Sequence, residues 1–308
     1  SRVGTCENAV LRETYHAESM GLISRWSQAD YWDDPAHAGR HGQPRLVWGN
    51  ARAWVYTDFD GNGHEILRIE QRNGAEMPQG LRNEDEELGA FWLSLAATNL
   101  VSGLVSPPAS LAACDAFVTV RNYAPLAGDS AHPDDAARPR TETRYVVANG
   151  VATAVGRTWT RYTRLTRDGY AAVKRETWRA ASPDAARTSA GNAYDYEIAF
   201  ADTGEGTPLL MRNAAAESLD EDGIRTVNAY SLTNGVLSCT TRKSFCGISF
   251  PTYTVTETDA RYGTVLRRTT RLTEGDTVIA DERSVYDSQN RLRSTTFLDG
   301  TSLTNAYS

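Results

Sequence analysis

Apolar and polar residues alternate along most of this chain, in short runs that end at glycine, asparagine or aspartate. From residue 141 onward the alternation is regular, and small turn-forming pairs separate segments rich in valine, threonine and aromatic residues. Such pairs favour two-residue turns with positive φ between antiparallel strands. The pattern predicts a mainly β protein of repeated antiparallel hairpins, with turns at Asn73-Gly74, Asn149-Gly150, Asp168-Gly169, Asp222-Gly223, Asn234-Gly235 and Asp299-Gly300.

The clearest hairpin occupies residues 284–308. Tyr286-Asp287 opens a short turn, Arg291-Leu292 begins an alternating run, and Asp299-Gly300 turns that run back, predicted as a type I′ turn. The tyrosine can bury its ring while its hydroxyl binds a neighbouring strand. The aspartate can accept backbone N–H groups from its own turn. Both residues therefore have a structural explanation that needs no catalysis.

Looser copies of this hairpin occur elsewhere in the chain. Residues 45–75 contain Phe59-Asp60 followed by Gly63, and Tyr194-Asp195 opens a further run. Asp259 and Gly263, with Leu266, occupy the equivalent positions of another copy. Repetition matters because a single two-stranded hairpin is marginal in water, whereas neighbouring hairpins stabilise one another in a long sheet.

Residues 81–140 interrupt the series. Apolar residues between 84 and 101 recur at helical spacing, which predicts one helix, with strands as the alternative. Residues 129–140 are polar and contain proline, which favours an exposed loop. We therefore divide the chain into degenerate repeats at 1–80, an insertion at 81–140, and a regular array at 141–308, within one continuous structural unit.

The hairpin at 284–308 resembles the YD repeat of the RHS family, in which Tyr-Asp, a short turn, Arg-Leu and a later Asp-Gly recur. Asn290 stands where the family usually has glycine, and asparagine tolerates the left-handed conformation. The resemblance implies a long curved sheet that forms a hollow shell around a C-terminal cargo, often a toxin. It also implies an exported or cell-surface protein. Its partners would be the rest of the same polypeptide, and this chain a piece of that longer protein.

The composition of the chain also limits the classes of partner that we expect. The formal net charge is −7 and the sequence pI is about 5.4, with lysine only at positions 174 and 243. An acidic chain offers no electrostatic footprint for nucleic acid. No apolar run approaches the roughly 20 residues that a membrane-spanning helix needs. We therefore expect neither nucleic acid nor a membrane span.

Two segments contain residues that could bind metal. Asp58, Asp60 and Asn62, with Gly63, match the start of a calcium loop, but position 12 is Ile69 and not an acid. His37 and His41 lie four apart beside Asp33 and Asp34, but nearby proline and glycines argue against the helix that would align them for zinc. We interpret both segments as loops and expect no cofactor.

No catalytic motif stands out, so we predict no enzymatic activity and nominate no catalytic residue. A polysaccharide-active enzyme is the weakest alternative. A carbohydrate- or protein-binding surface is the stronger one, with Trp48 and Trp54 as candidates for stacking on sugars. Cys239 and Cys246 could face each other across a tight hairpin, although four cysteines allow three pairings.

Overall fold

A computed structural model describes residues 16–18, 21–25, 27–32, 34–49, 54–74, 91–92, 94–96, 106–107, 111, 115–130, 135–182, 184–202 and 206–307. Within these ranges the regular secondary structure is almost entirely β-strand, which confirms the predicted fold class. The strands are β1 (His16–Glu18), β2 (Gly21–Arg25), β3 (Ser27–Tyr31), β4 (Pro44–Gly49), β5 (Val55–Phe59), β6 (Glu65–Gln71), β7 (Ala116–Asn122), β8 (Thr141–Ala148), β9 (Val151–Arg167), β10 (Tyr170–Arg179), β11 (Ala193–Phe200), β12 (Ala215–Leu219), β13 (Ile224–Thr233), β14 (Val236–Phe245), β15 (Ile248–Asp259), β16 (Val265–Leu272), β17 (Val278–Tyr286), β18 (Leu292–Phe297) and β19 (Ser302–Thr304).

The chain forms two compact units. The first comprises residues 1–127, 131–160 and 178–193, and the second comprises 128–130, 161–177 and 194–308. In the first unit β3 to β8 and the start of β9 pair antiparallel in sequence order, while β1 pairs with β2 alone. In the second unit β11 to β19 do the same.

The alternation of buried and exposed side chains along the strands determines where the core of the first unit lies. Ile69, Val118 and Tyr145 stand opposite one another on three neighbouring strands, and each is at most 1% exposed. Side chains of alternate residues point to the same face of a strand, so the flanking Leu67 and Val147 are buried on that face too. Burying a side chain of this size contributes about 1.5–3 kcal/mol to stability.

The insertion packs onto this core. Residues 91–92 and 94–96 are helical, inside the helix predicted at 84–101, whose remaining residues lie outside the described part. Trp92 is fully buried, with its ring centroid 5.1 Å from that of Tyr145. The prediction of an exposed loop at 129–140 is wrong for Asp135 and Arg140, which are 0% and 3% exposed. The Arg140 guanidinium donates to the Asp135 carbonyl at 2.7 Å, which offsets the cost of burying these two polar residues, whereas residues 136–138 are exposed.

The second unit has little apolar core after β14 begins. Among the described residues from 236 onward, the buried side chains are Leu237, Thr269, Asp281 and Thr295. Three of these four are polar, whereas Val285 is 57% exposed. These strands are therefore stabilised mainly by their backbone hydrogen bonds and by pairs of side chains on adjacent strands.

Four of the six predicted turn pairs adopt the predicted backbone conformation, and two do not. Both residues of Asn73-Gly74, Asn149-Gly150, Asp168-Gly169 and Asn234-Gly235 have positive φ, as predicted. At Asp222-Gly223 and Asp299-Gly300 only the glycine does. The type I′ prediction for Asp299-Gly300 is therefore wrong. Phe297 N donates to Thr301 O there, and Gly300 N donates to Phe297 O, in a three-residue loop with its glycine in the left-handed region.

The predicted pairing of Cys239 with Cys246 across a tight hairpin is not found. Cys246-Gly247 is itself a two-residue turn with positive φ at both residues. Cys239 lies seven residues back along β14, opposite Thr256, so the two sulfurs are separated by roughly 20 Å of extended strand. Cys239 and Cys246 are both free cysteines. Among the described residues, no helix is both long and apolar enough to cross a membrane.

Candidate functional site

The turn after β17 is organised by the carboxylate of Asp287. Its Oδ1 accepts the backbone N–H groups of Gln289 and Arg291, both at 2.9 Å, and its Oδ2 accepts Arg291 Nε at 2.9 Å. Asp287 N donates to Arg291 O, and Asn290 N donates to Asp287 O. The hydrogen bond from the Arg291 N–H contributes most to holding the pKa of Asp287 below its ordinary value. We call this arrangement an aspartate turn.

The connection between β5 and β6 is a second aspartate turn with the same bonds. Asp60 Oδ1 accepts the N–H groups of Asn62 and His64, both at 2.9 Å, and Oδ2 lies 3.0 Å from His64 Nδ1. Asp60 N donates to His64 O, and Gly63 N donates to Asp60 O. Gly63 and Asn290 hold equivalent positions, with φ of 85° and 62°. The degenerate copy at 45–75 and the clearest copy therefore share one turn.

Two further turns follow the same plan. Asp220 Oδ1 accepts Ile224 N at 2.8 Å, and Gly223 N donates to Asp220 O. Asp259 Oδ1 accepts two N–H groups of its own turn, which is one residue longer and ends at Thr264. The sequence predicted a turn at Asp222-Gly223 but missed the role of Asp220, because the Asp-Gly pair is the stronger hairpin signal.

A tyrosine hydroxyl fixes the strand that follows three of these turns. Tyr123 donates to Glu65 O at 3.0 Å, Tyr286 to Val265 O at 3.0 Å, and Tyr307 to Leu292 O at 2.8 Å. In each case the acceptor is the first residue of a strand, and the tyrosine lies at or just beyond the end of the next strand. Tyr230 makes the same bond to Ala215 O, the first carbonyl of β12, at 2.9 Å.

We define a joint as an aspartate turn, the strand after it, and the tyrosine that donates to the first carbonyl of that strand. The first joint contains Asp60 and Tyr123, the second Asp259 and Tyr286, and the third Asp287 and Tyr307. The second and third joints are consecutive, because Tyr286 completes one and Asp287 begins the next. The pair Tyr286-Asp287 is therefore the boundary between two joints.

The first and third joints also share a side-chain stack. Arg291 Cζ lies 4.7 Å from the centre of the Tyr307 ring, and the His64 ring stacks on Tyr123 with centroids 4.7 Å apart. Burial, together with nearby Glu65 and Asp60, raises the pKa of Tyr123 above its ordinary value. The tyrosine therefore stays protonated and able to donate its hydrogen bond.

The other predicted signature residues have different settings. Tyr194 and Asp195 lie inside β11 and not at a turn, and the Tyr194 hydroxyl donates to Glu176 Oε1 at 2.8 Å. Leu292 supplies the carbonyl of the third joint. Asp299 accepts both the N–H and the hydroxyl of Thr301, which caps the loop that contains Gly300.

Buried carboxylates of the second unit are surrounded by cations. Glu176 accepts hydrogen bonds from Arg161, Lys174 and Tyr194, and is 4% exposed. Burial alone would raise the pKa of Glu176, but these bonds outweigh it and place that pKa below its ordinary value. A carboxylate held ionised in this way is a poor general acid.

Two more carboxylates repeat this environment. Glu217 accepts Arg225 Nε at 2.8 Å and the Tyr196 hydroxyl at 2.6 Å. Asp281 accepts Nε of Arg267 at 2.8 Å and Nε of Arg283 at 3.0 Å. The Arg267 bond contributes most to lowering the pKa of Asp281 to about 2. Both ion clusters join neighbouring strands, and the Asp281 cluster does so in a region with few buried apolar side chains.

The oxygen atoms of the candidate calcium ligands make contacts with other protein groups and do not converge on one site. Asp58 lies in β5, is 4% exposed, and pairs with Arg40 Nε at 2.9 Å. The Asp60 oxygens are engaged within the aspartate turn, and the same turn holds the backbone of Asn62. These three residues therefore form a turn and an adjacent ion pair, an arrangement that does not fit a calcium loop.

The candidate zinc residues lie in a loop that packs against the first joint. His37 Nδ1 lies 2.9 Å from Asp34 Oδ2, His41 N donates to His37 O, and Asp33 lies outside the described residues. Gly39 N donates to Gly61 O at 3.2 Å. Within the part of the chain that the structure describes, no three histidine, cysteine or acidic side chains converge as metal ligands.

The tryptophans proposed to stack on sugars are not exposed. Trp54 is 3% exposed, and Trp48 is half-buried against the same core. The hypothesis of a sugar-stacking surface is therefore wrong for Trp54, and for Trp48 it stays a prediction. Exposed aromatic rings do occur elsewhere, at Phe117 and Tyr262.

Comparisons with known proteins assign no family to this chain. No family model and no curated protein matches the chain. Among solved structures, it is similar to one described as the Photorhabdus luminescens Tc holotoxin pore carrying a mutation, at 12% identity and a TM-score of 0.26. The match covers 92% of this chain and 14% of that one, so this chain spans about a seventh of its length. A match at this score assigns neither fold nor function.

Proposed function

We propose that this chain is a wall segment of a YD-repeat β-shell that encloses or presents a C-terminal cargo. The observation that carries the proposal is the recurrence of the joint. The first and third joints use the same atoms of aspartate, turn backbone and tyrosine, although their sequences share little beyond those residues. A unit that recurs in this way and shares a boundary with its neighbour builds an array.

The proposed role is mechanical and not catalytic. Asp60 and His64 form a pair that could be mistaken for an acid–base dyad. Arg291 takes the place of His64 in the third joint with the same hydrogen bonds, and arginine cannot exchange a proton near neutral pH. A group needed for proton transfer could not be replaced in this way, so the pair is best explained as part of a turn.

Cargo and compartment rest on the resemblance of the repeat. We propose that the cargo is a toxin or a module for contact between cells, and that the protein acts outside the cell or on its surface. The partners would be further repeats and the cargo of the same polypeptide. A carbohydrate- or protein-binding surface remains the alternative, without the buried Trp54 as a contact residue.

Electron cryomicroscopy of the complete polypeptide encoded by the gene tests this proposal. We expect a hollow β-shell with residues 141–308 in its wall and a separate domain inside it or at its opening. A complete polypeptide without an enclosed volume and without a distinct cargo domain would contradict the shell. If the polypeptide has neither an enclosed volume nor a cargo domain, and residues 141–308 are retained on an immobilised glycan or receptor, the binding surface would be favoured.

A further inference from the structure

The exposed apolar side chains of β14 to β19 are concentrated on one face of the second unit. The strand register places five of them on this face, each between 37% and 73% exposed: Phe245, Ile248, Leu272, Phe297 and Leu303. Their sequence neighbours that point to the opposite face are polar: Ser244, Ser249, Arg271, Thr296 and Ser302. We call the five residues, together with Leu298 in the loop after β18, the apolar stripe. A contiguous exposed patch of this kind is typical of a surface that binds a partner.

A groove of about 470 Å³ lies within the stripe, between β16, β17, β18 and the loop after β18. Its apolar lining is formed by Ile279, Ala280, Phe297 and Leu298. Leu298 is 55% exposed in a loop position where turns usually have a polar residue. The loop is held by its backbone hydrogen bonds and by the carboxylate of Asp299, so its geometry does not require leucine. An exposed leucine without a structural role at the edge of a groove indicates a contact surface.

The charged side chains that line the groove contain one carboxylate in excess. Arg268 and Glu282 form a loose pair, with 3.9 Å between Nη1 and Oε2, and both side chains are about half exposed. Asp299 also lines the groove, and the two bonds that it accepts from Thr301 both end on Oδ1. The Arg268 charge is balanced by Glu282, which leaves the negative charge of Asp299.

The ion cluster around Asp281 does not cancel that charge. Its carboxylate binds Arg267 and Arg283 on the opposite face of the sheet. Glu257 stands opposite Arg267 on β15, so this cluster contains two acids and two arginines and is neutral.

The other charged residues near the stripe lie farther from the groove. Lys243 is on β14, two strands or about 10 Å from β16, and Arg293 is four residues or about 13 Å along β18 from Phe297. Glu274, in the connection between β16 and β17, is a further acid on the groove side. The stripe as a whole is therefore close to neutral, with its acids collected at the groove.

We propose that the apolar stripe binds an extended, largely apolar polypeptide segment that places a basic side chain at the groove. Six strands about 4.8 Å apart make the stripe roughly 24 Å long, the span of about seven extended residues. A small molecule that filled the groove would leave Phe245 and Ile248 uncovered. The carboxylates at the groove select a basic side chain by charge complementarity. This binding role goes beyond the proposed wall and does not depend on it.

Fluorescence anisotropy of a labelled peptide, titrated with the whole chain, tests the proposal. The peptide has about eight residues, with leucine and threonine in alternation and lysine at one end. A second peptide carries glutamate in place of the lysine. We expect the lysine peptide to bind more tightly than the glutamate peptide, and Glu282→Gln to reduce the difference. A lysine peptide that does not bind, or that binds no more tightly than the glutamate peptide, would overturn the proposal.

Substitutions of exposed residues locate the binding site without disturbing the fold. Leu298→Ser should weaken binding of the lysine peptide about tenfold, and Ile248→Ser, at the far end of the stripe, roughly two- to fivefold. Val285→Ser is the matched control, because Val285 is 57% exposed on the opposite face of β17, and it should leave the affinity unchanged. Equal effects of Leu298→Ser and Val285→Ser would overturn the proposal. So would a dimer in sedimentation velocity that Leu298→Ser dissolves, since it would assign the stripe to a second copy of the chain.

Discussion

The hydroxyl of Tyr286 donates to the carbonyl of Val265 at 3.0 Å, joining the last residue of one strand to the first residue of its neighbour. The next residue, Asp287, begins the following turn. One tyrosine–aspartate pair thus closes one joint and opens another, which gives this short sequence pattern a geometric meaning.

Tyr286→Phe removes that hydrogen bond and nothing else. We expect a loss of about 0.5–1.5 kcal/mol in the free energy of unfolding, the usual contribution of one such bond. Urea denaturation of the whole chain measures it. Tyr262, whose side chain is 55% exposed, is the matched control, and Tyr262→Phe should leave the midpoint unchanged. Equal effects of the two substitutions would argue against the tyrosine bond.

Gly39→Ala should disrupt the packing of the 34–43 loop on the first joint. A Cβ at Gly39 would lie 2.2 Å from Gly63 N and 2.4 Å from Gly61 O, both backbone atoms that cannot move independently. We expect a loss of about 1–3 kcal/mol, as for other overpacked sites, measured by thermal unfolding. Gly61→Ala is the control, since a Cβ there meets nothing within 4 Å. A stable Gly39→Ala variant would refute this contact.

Asn290→Gly should be tolerated, and Asn290→Ala should not. The backbone of Asn290 is left-handed, with φ of 62°, a conformation that costs most residues other than glycine about 1–2 kcal/mol. We expect the alanine variant alone to lower the urea midpoint. Gln289→Ala, next to it on the exposed turn, controls for loss of a polar side chain. A destabilised glycine variant would contradict this reading of the turn.

Asp281→Asn should weaken the response of the chain to acid. Because Arg267 and Arg283 lower the pKa of Asp281 to about 2, its ionised form stabilises the fold above pH 4. That stabilisation is lost as the pH falls toward 2. The variant should therefore be less stable at pH 7 and show a shallower decline in stability between pH 4 and pH 2.

The exposed Glu274 provides the control for this experiment. Glu274→Gln removes an acid from the connection between β16 and β17 and should leave the decline between pH 4 and pH 2 as it is in the wild type. An Asp281→Asn variant with an unchanged acid profile would show that the ion cluster does not set it.

The sequence predicts the hairpins well where the turn chemistry is local. Asn149-Gly150 and Asn234-Gly235 can each adopt the required φ angles without help from the rest of the chain. Asp299-Gly300 deviates because the Asp299 carboxylate binds Thr301, which favours a longer loop. Local signals of similar strength compete there, and the sequence alone does not rank them.

The contacts between distant segments could not be predicted. The Tyr123 hydroxyl meets Glu65 O across 58 positions of sequence, and the Gly39 contact with Gly63 joins two loops that each look ordinary. Tyr194-Asp195 has the signature pair but lies within a strand, since no turn follows it. Two residues of a pattern are not enough when the turn that gives them their role is missing.

An exchange of turns between joints tests the central claim most directly. The variant that carries Ser288→Gly, Gln289→Asn, Asn290→Gly and Arg291→His places the turn of the first joint in the third. If the joint is a true structural repeat, the urea midpoint of this variant should match that of the wild type, while Asp287→Ala lowers it. A grafted turn that destabilises the chain as much as Asp287→Ala would show that the two turns are not equivalent.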